Sequence, residues 1–305
     1  MRIRVVLTTV LAAAAGVGCE LQEVTTAEPV RFAVAEVVLQ AEADTQFAYL
    51  QSGVGPAHLR IEGARVRVFA DGGADTLVFH ETDAWRCISP LPTHEDVIGS
   101  CYMGIATSLP IRSGGEYRLR IDLPDGGQLS GFTRVPGPLQ LLTPNRAVCA
   151  LPPDTSLELR WRRAADTWVY AVEVQLHDIF PILVQRGVVA DTANVPLRLS
   201  GLAISAGDTT LVLPGELGLF DRFDADVHPI LLALRDGLPA GVRGEVLVGA
   251  ADRNYVNWAR GGVFNPSGVV RVPSVRGDGT GVFGSMSAAR FSLRVTRDPT
   301  LPACR

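Results

Sequence analysis

The chain has 305 residues, of which 47% are hydrophobic, and a formal net charge of −4 at pH 7. All 28 basic residues are arginines, so the chain lacks the lysine that Walker-type phosphate loops, Schiff-base enzymes and kinase sites require. The mildly acidic balance argues against a nucleic-acid partner, for which a basic face is expected. The length suits one large or two ordinary domains.

The N-terminus has the pattern of a bacterial export signal. Two arginines precede the uncharged run of residues 5–18, which is too short to cross a bilayer as a stable helix. Small residues stand directly before Cys19, as a signal peptidase requires. We therefore expect residues 1–18 to be a signal peptide, Cys19 to be lipidated, and residues 19–28 to be a tether. Ordinary cleavage that leaves a free thiol is the alternative.

The first half of the mature chain is predicted to be a β-sandwich. Hydrophobic and polar residues alternate along short runs, and glycine-rich turns such as Asp71-Gly72-Gly73 separate them. The predicted strands cover residues 31–40, 47–51, 65–70, 76–80, 117–123 and 129–135. Pro136-Gly137-Pro138 ends this pattern. We therefore assign residues 29–136 to an N-terminal domain of immunoglobulin-like type.

The second half, residues 139–305, is predicted to be another β-sandwich. Its opening pair of strands is typical of a fibronectin-type domain. The predicted strands cover residues 157–161, 168–176, 209–213, 244–249 and 289–296. Residues 228–235 fit a strand or a short helix, and residues 252–260 fit one short helix that stops at Gly261-Gly262. The fold class is therefore all-β, with two sandwich domains.

The four cysteines after Cys19 are even in number, which in an exported chain indicates disulfides. Three connectivities are possible, and we favour Cys87–Cys101 and Cys149–Cys304. A zinc site is the alternative, but no pair has C-x-x-C spacing and no histidine lies at ligand spacing from a cysteine.

Three motifs along the chain resemble those of an uncharacterised family of bacterial outer-membrane lipoproteins, a domain of unknown function. They are EGARVRV at residues 62–68, GEYRL at residues 115–119 and GTGVFG at residues 279–284, and they follow the N-terminal cysteine. The resemblance implies a transthyretin-like N-terminal sandwich and a place beside TonB-dependent receptors. It implies no catalytic residue.

The sequence offers little for catalysis, and we expect no metal and no cofactor. The motif at residues 279–284 fits G-x-G-x-x-G, but a strand and the chain end follow it, where a dinucleotide site needs a helix and a later acid. We interpret it as a glycine-rich turn with Phe283 in the core. Tyr255, Trp258 and Phe264 form the densest aromatic cluster, which fits core packing or contact with a partner.

We therefore predict a non-enzymatic lipoprotein of the cell envelope, attached to the outer membrane by its lipid. It would act as a binding or accessory module, with a receptor or transporter of that membrane as its partner. A surface hydrolase or carbohydrate-active protein is one alternative, and a structural or adhesive surface module is the other. The ligand, the face of the membrane and the oligomeric state stay open.

Overall fold

A computed structural model describes residues 32–52, 60–87, 99–190, 196–203, 207–218, 226–260 and 272–305. These residues form mainly β-strands, which confirms the all-β sandwich prediction. In chain order the strands are β1 (Ala33–Gln40), β2 (Thr45–Ser52), β3 (Arg65–Ala70), β4 (Thr76–Thr82), β5 (Ser100–Ile105), β6 (Glu116–Asp122), β7 (Gln128–Arg134), β8 (Gln140–Thr143), β9 (Val148–Leu151), β10 (Leu157–Arg162), β11 (Val169–His177), β12 (Leu197–Ala203), β13 (Thr210–Leu213), β14 (Arg243–Ala251), β15 (Val275–Gly277) and β16 (Gly279–Val295).

Short helices interrupt the strands. A 3₁₀ turn covers Ala84–Arg86, and the α-helices are α1 (Ile179–Gln185), α2 (His228–Leu234) and α3 (Arg253–Arg260). Helix α3 confirms the helix predicted over residues 252–260, and α2 decides the open choice at residues 228–235. Helix α1 is not predicted from the sequence, because IFPILVQ has the composition of a strand.

The first hydrophobic cluster lies between two layers of strands. One layer contains β1, β2 and β5, and the other contains β3, β6, β7 and β15. Strand β4 connects the layers, because its first half pairs with β3 and its second half with β5. Alternate residues of β6 point inward, so that Tyr117, Leu119 and Ile121 are buried. Their neighbours Arg118 and Arg120 lie on the outward face.

The second hydrophobic cluster lies between the sheet portion β12-β11-β14-β16 and the three-stranded sheet β13-β10-β8. Trp161 on β10 packs against Tyr170 on β11, with ring centroids 5.2 Å apart. Helices α1 and α2 add buried leucines and isoleucines to this cluster. The boundary predicted at residues 136–138 falls between β7 and β8. Strand β7 is the last N-terminal strand of the first cluster.

Strand β16 is 17 residues long and takes part in both clusters. Its first half pairs in parallel with β1, and its second half pairs antiparallel with β14. Phe283 from the first half is fully buried in the first cluster, and Phe291 from the second half is buried in the second. Together with β15, this strand brings C-terminal residues into the core that we had assigned to residues 29–136.

The GTGVFG motif begins β16 and is extended, so the predicted turn is wrong at this point. Gly279 and Gly281 face the backbone of β1, where a Cβ atom would collide with the carbonyl oxygens of Ala33 and Ala35. Glycine is therefore required for β16 to lie this close to β1. The expected core position of Phe283 is correct, because its side chain has no exposed surface.

Both predicted disulfides are present in the structure. Cys87–Cys101 joins residues 14 positions apart, and Cys149–Cys304 joins residues 155 positions apart. The first connects the 3₁₀ turn to β5. The second attaches the segment after β16 to β9, where Ala150 also forms an isolated bridge with Ala303.

Candidate functional site

Helix α3 packs beside β7 and β16 and lines two clefts. A buried carboxylate fixes its first turn: Asp252 accepts hydrogen bonds from the backbone N–H of Tyr255 at 2.9 Å and from the hydroxyl of Thr133 at 2.6 Å. Thr133 in turn lies 2.8 Å from the hydroxyl of Ser285. Burial raises the pKa of Asp252 above its ordinary value, although these hydrogen bonds partly oppose the shift. The cluster therefore holds α3 against β7 and β16.

Two further contacts bring α3 close to the sheet. The side-chain amide of Asn254 donates to the carbonyl oxygens of Phe132 at 2.7 Å and Phe283 at 2.9 Å. Gly284 lies directly below the helix, where a Cβ atom would be 3.1 Å from the backbone nitrogen of Tyr255. The helix is thus fixed to both β7 and β16, which contact each other although they are not paired.

The first cleft, which we call the aromatic cleft, has a volume of about 930 Å³. Tyr255 and Trp258 line it from α3, and the outward residues of β1 and β2 form its floor. That floor contains the half-buried side chains of Val38 and Phe47. Burial, with a smaller contribution from the charge of Glu173, raises the pKa of Tyr255 to about 12. Tyr255 is therefore a neutral hydroxyl at physiological pH.

The rim of the aromatic cleft carries the Cys87–Cys101 disulfide and charges of both signs. Cys87 lines the cleft, and the neighbouring Trp85 is 53% exposed, with the Arg86 guanidinium 4.9 Å from its ring centroid. The charged residues that line the cleft are Glu36, Glu42, Asp44, Arg86 and Arg290. A floor that contains Val38 and Phe47 among polar side chains, with aromatic residues beside it and charges of both signs, has the mixed composition of a protein-contact surface.

The residues predicted for partner contact are thus partly located. The structure brings Tyr255 and Trp258 into one cleft, whereas Phe264 lies outside the described residues, as does Cys19. Sequence reasoning found the helix pair from its spacing of three residues. It missed Trp85 and the floor of the cleft, because their proximity to α3 depends on strand pairing between distant segments.

The second cleft, which we call the arginine cleft, lies on the other side of α3 and has a volume of about 910 Å³. Its four arginines come from β6, α3 and β15, and they are Arg118, Arg120, Arg253 and Arg276. No aspartate or glutamate is among the described residues that line it. This cleft is not predicted from the sequence. The available signal was the alternation of arginines along β6, which alone indicates only a solvent-facing side.

The other residues that could take part in catalysis or bind a metal are more dispersed over the structure. His177 Nε2 lies 3.9 Å from a carboxylate oxygen of Glu245, and His228 lines an apolar cleft beside α2. Within the described ranges, no three histidine, cysteine or acidic residues are close enough together to hold a metal ion. None of the helices in those ranges is long and apolar enough to cross a membrane.

No family model matches the chain, and no curated protein matches it. Among solved structures, a DUF4785 family protein from Legionella pneumophila is 13% identical with a TM-score of 0.22, and the match covers 61% of this chain. This chain spans about half of that protein, 47% of its length. DIP-gamma IG1+IG2 is 10% identical with a TM-score of 0.19, over 88% of this chain and 99% of that chain. Likenesses this weak carry no argument about function.

Proposed function

We propose that the protein is a non-enzymatic binding module of the bacterial cell envelope. A lipid on Cys19 attaches it to the outer membrane, and the aromatic cleft contacts a partner protein, a TonB-dependent receptor or a comparable transporter. The attachment rests on the export-signal pattern and the lipoprotein resemblance. The partner contact rests on the geometry of the cleft.

The observation that carries the contact proposal is the position of Tyr255 and Trp258. Both line the cleft from a helix that Asp252 fixes beside the half-buried Val38 and Phe47, and Trp85 adds an exposed aromatic surface at the rim. Tryptophan and tyrosine in such half-buried positions dominate the binding energy of many protein interfaces, because they bury large areas at a low cost in conformational entropy.

The contact is tested by removing the aromatic surface and leaving the rest of the molecule intact. Affinity purification of the full chain from detergent-solubilised envelopes should recover a β-barrel receptor, and the double variant Trp85→Ala/Trp258→Ala should reduce that recovery at least tenfold. Trp168→Ala is the matched control, because Trp168 is 48% exposed and lies outside the aromatic cleft. Recovery of the wild-type chain alone, or equal recovery with the double variant, would contradict the proposal.

The attachment needs its own experiment. Mass spectrometry of the mature N-terminus should find a diacylated Cys19, and the Cys19→Ala variant should move from the membrane fraction to the soluble fraction. An unmodified thiol at Cys19 would disprove the lipid anchor and leave the contact proposal standing.

A further inference from the structure

We propose that the arginine cleft binds an anionic oligosaccharide, one that carries carboxylate or phosphate groups. This inference is independent of the partner contact, because it concerns the opposite side of α3.

Two of the lining arginines, Arg276 and Arg120, lie in one cross-strand row that continues to Arg67, which does not itself line the cleft. Arg276 on β15 is paired with Ser130 on β7, Ser130 is paired with Arg120 on β6, and Arg120 is paired with Arg67 on β3. Paired residues on one face of a sheet have their Cβ atoms about 4.5–5.5 Å apart. The row therefore places three arginines on one face of the sheet, an arrangement that suits a ligand with more than one anionic group.

Like charges placed opposite each other destabilise a sheet unless something neutralises them. Asp122 bonds to both Arg67 and Arg120, and the hydrogen bond from Arg120, followed by that from Arg67, lowers the pKa of Asp122. Asp71 pairs with Arg118 at 2.8 Å. Asp122 thus partly neutralises Arg67 and Arg120, and Asp71 neutralises Arg118 in the adjacent row; neither acid is among the lining residues of the cleft.

Near α3, the positive charges of the arginines are not fully neutralised by acids. Among the described residues, neither Arg253 nor Arg276 forms an ion pair; Arg253 instead stacks over Trp168, with its guanidinium carbon 5.0 Å from the ring centroid. A third acid, Asp278, accepts a hydrogen bond from the backbone N–H of Gln128 at the edge of the cleft. The four lining arginines together with Arg67 outnumber Asp71, Asp122 and Asp278, which leaves an excess of positive charge.

The uncharged lining favours a sugar over a simple ion. Phe69 and Phe132 lie on either side of Arg118 in the neighbouring cross-strand row, and Phe132 is 46% exposed. Their rings supply flat apolar surface, while the hydroxyl of Ser130 and the amide of Asn257 supply polar groups at the same cleft. A cleft of about 910 Å³ has the size of a site for an oligosaccharide-sized ligand.

Arginine suits this role because its planar fork binds carboxylate and phosphate groups through two parallel hydrogen bonds. A nucleic acid would satisfy the same charges, but the net charge of −4 disfavours a long polyanion that contacts the surroundings of the cleft as well.

The test is a calorimetric titration of the purified full chain with three defined probes: an oligogalacturonate, its methyl-esterified neutral form, and a phosphorylated glucan oligosaccharide. We expect at least one anionic probe to bind, the neutral form to bind at least tenfold more weakly, and affinity to fall as salt is added. Whichever anionic probe binds identifies the oxyanion. A single-stranded oligothymidylate is titrated in the same way, as the representative of nucleic acids.

The variant Arg120→Gln/Arg276→Gln should weaken binding at least tenfold, because it removes two guanidinium groups and leaves Asp122 paired with Arg67. The control Arg162→Gln/Arg163→Gln changes the net charge equally at exposed positions outside the cleft and should stay within twofold of the wild type. Equal loss in the control, equal binding of the neutral probe, tighter binding of the oligothymidylate, or no binding at millimolar concentration would overturn the proposal.

Discussion

The two clefts differ in chemistry although one helix borders both. Tyr255 and Trp258, three residues apart, face the aromatic cleft, whereas Arg253 and Asn257, four residues apart, face the arginine cleft. Residues at these spacings share a face of an α-helix. About one and a half turns of α3 therefore place side chains in two different clefts. A helix of eight residues can therefore line two different clefts, provided that its position beside the strands is fixed.

The floors of the clefts differ as well. The aromatic cleft rests on the first layer of the N-terminal sandwich, β1 and β2, and the arginine cleft rests on the second, β6, β7 and β15. Both depend on β16, which lies beside β1 and supports α3 through Gly284. Changes at shared elements should affect both clefts, and changes at the lining of one cleft should spare the other.

The largest effect is expected from Gly281→Ala. The added Cβ would collide with the backbone of Ala35, and Gly281 has φ +141°, which disfavours any side chain. We expect a loss of at least about 3 kcal/mol in the free energy of unfolding, measured by chemical denaturation, and the loss of both binding activities. In the control Gly72→Ala, φ is +73° with no atom within 4 Å of the new Cβ, and the loss should be only about 1 kcal/mol. Equal losses would mean that β16 does not need its close approach to β1.

A smaller effect on both clefts is expected from Asp252→Ala. The substitution removes the acceptor for the backbone N–H of Tyr255 and for the buried hydroxyl of Thr133, at a cost of about 2 kcal/mol. The free energy of unfolding should fall by that amount, and both ligands should bind more weakly. Loss of one binding activity alone would show that Asp252 does not fix both faces of α3.

The same carboxylate predicts a pH dependence. Because the pKa of Asp252 is raised in the folded protein, its protonated form is favoured by folding, and this contribution to stability is complete below the ordinary pKa of 3.8. It is lost as the pH rises through the raised folded-state value. Denaturation curves should show the wild type losing stability relative to Asp252→Asn over that window. Parallel curves would disprove the shift.

The smallest expected effect concerns the arginine cleft alone. Trp168→Leu removes the ring beneath Arg253, a cation–π contact of about 0.5–1 kcal/mol. We expect a two- to fivefold loss of affinity for the anionic probe and unchanged recovery of the partner protein. A loss of both would contradict the independence of the clefts.

Local pattern was enough to predict most strands, because the inward and outward residues alternate cleanly. YRLRIDL in β6 is the clearest case, with buried Tyr117, Leu119 and Ile121 and outward arginines. The pattern fails where one sequence fits two structures. The IFPILVQ sequence of α1 is rich in residues that favour strands, and only its packing of Ile179 and Leu183 against the second cluster makes it helical.

The candidate sites were less predictable than the strands. The spacing of Tyr255 and Trp258 indicated a shared helix face, but no local signal places that helix over Val38 and Phe47. Likewise, Arg276 meets Arg120 only because β15 and β6 both pair with β7, and such pairing between distant segments leaves no local pattern in the sequence.

The pairing of β1 with β16 has a consequence for how the chain folds. Val37 and Phe283 are partners in register although they are separated by most of the chain, and the hydrogen bonds between these strands run in parallel. A sheet that depends on contacts so distant in sequence has a high contact order, and such sheets form slowly because a large loop must close first. Residues 33–40 therefore have no partner strand at the β16 edge of β1 until residues 279–286 have been synthesised and have paired with them. For an exported chain, which the N-terminal pattern predicts, such slow pairing helps to keep the chain unfolded while it crosses the membrane.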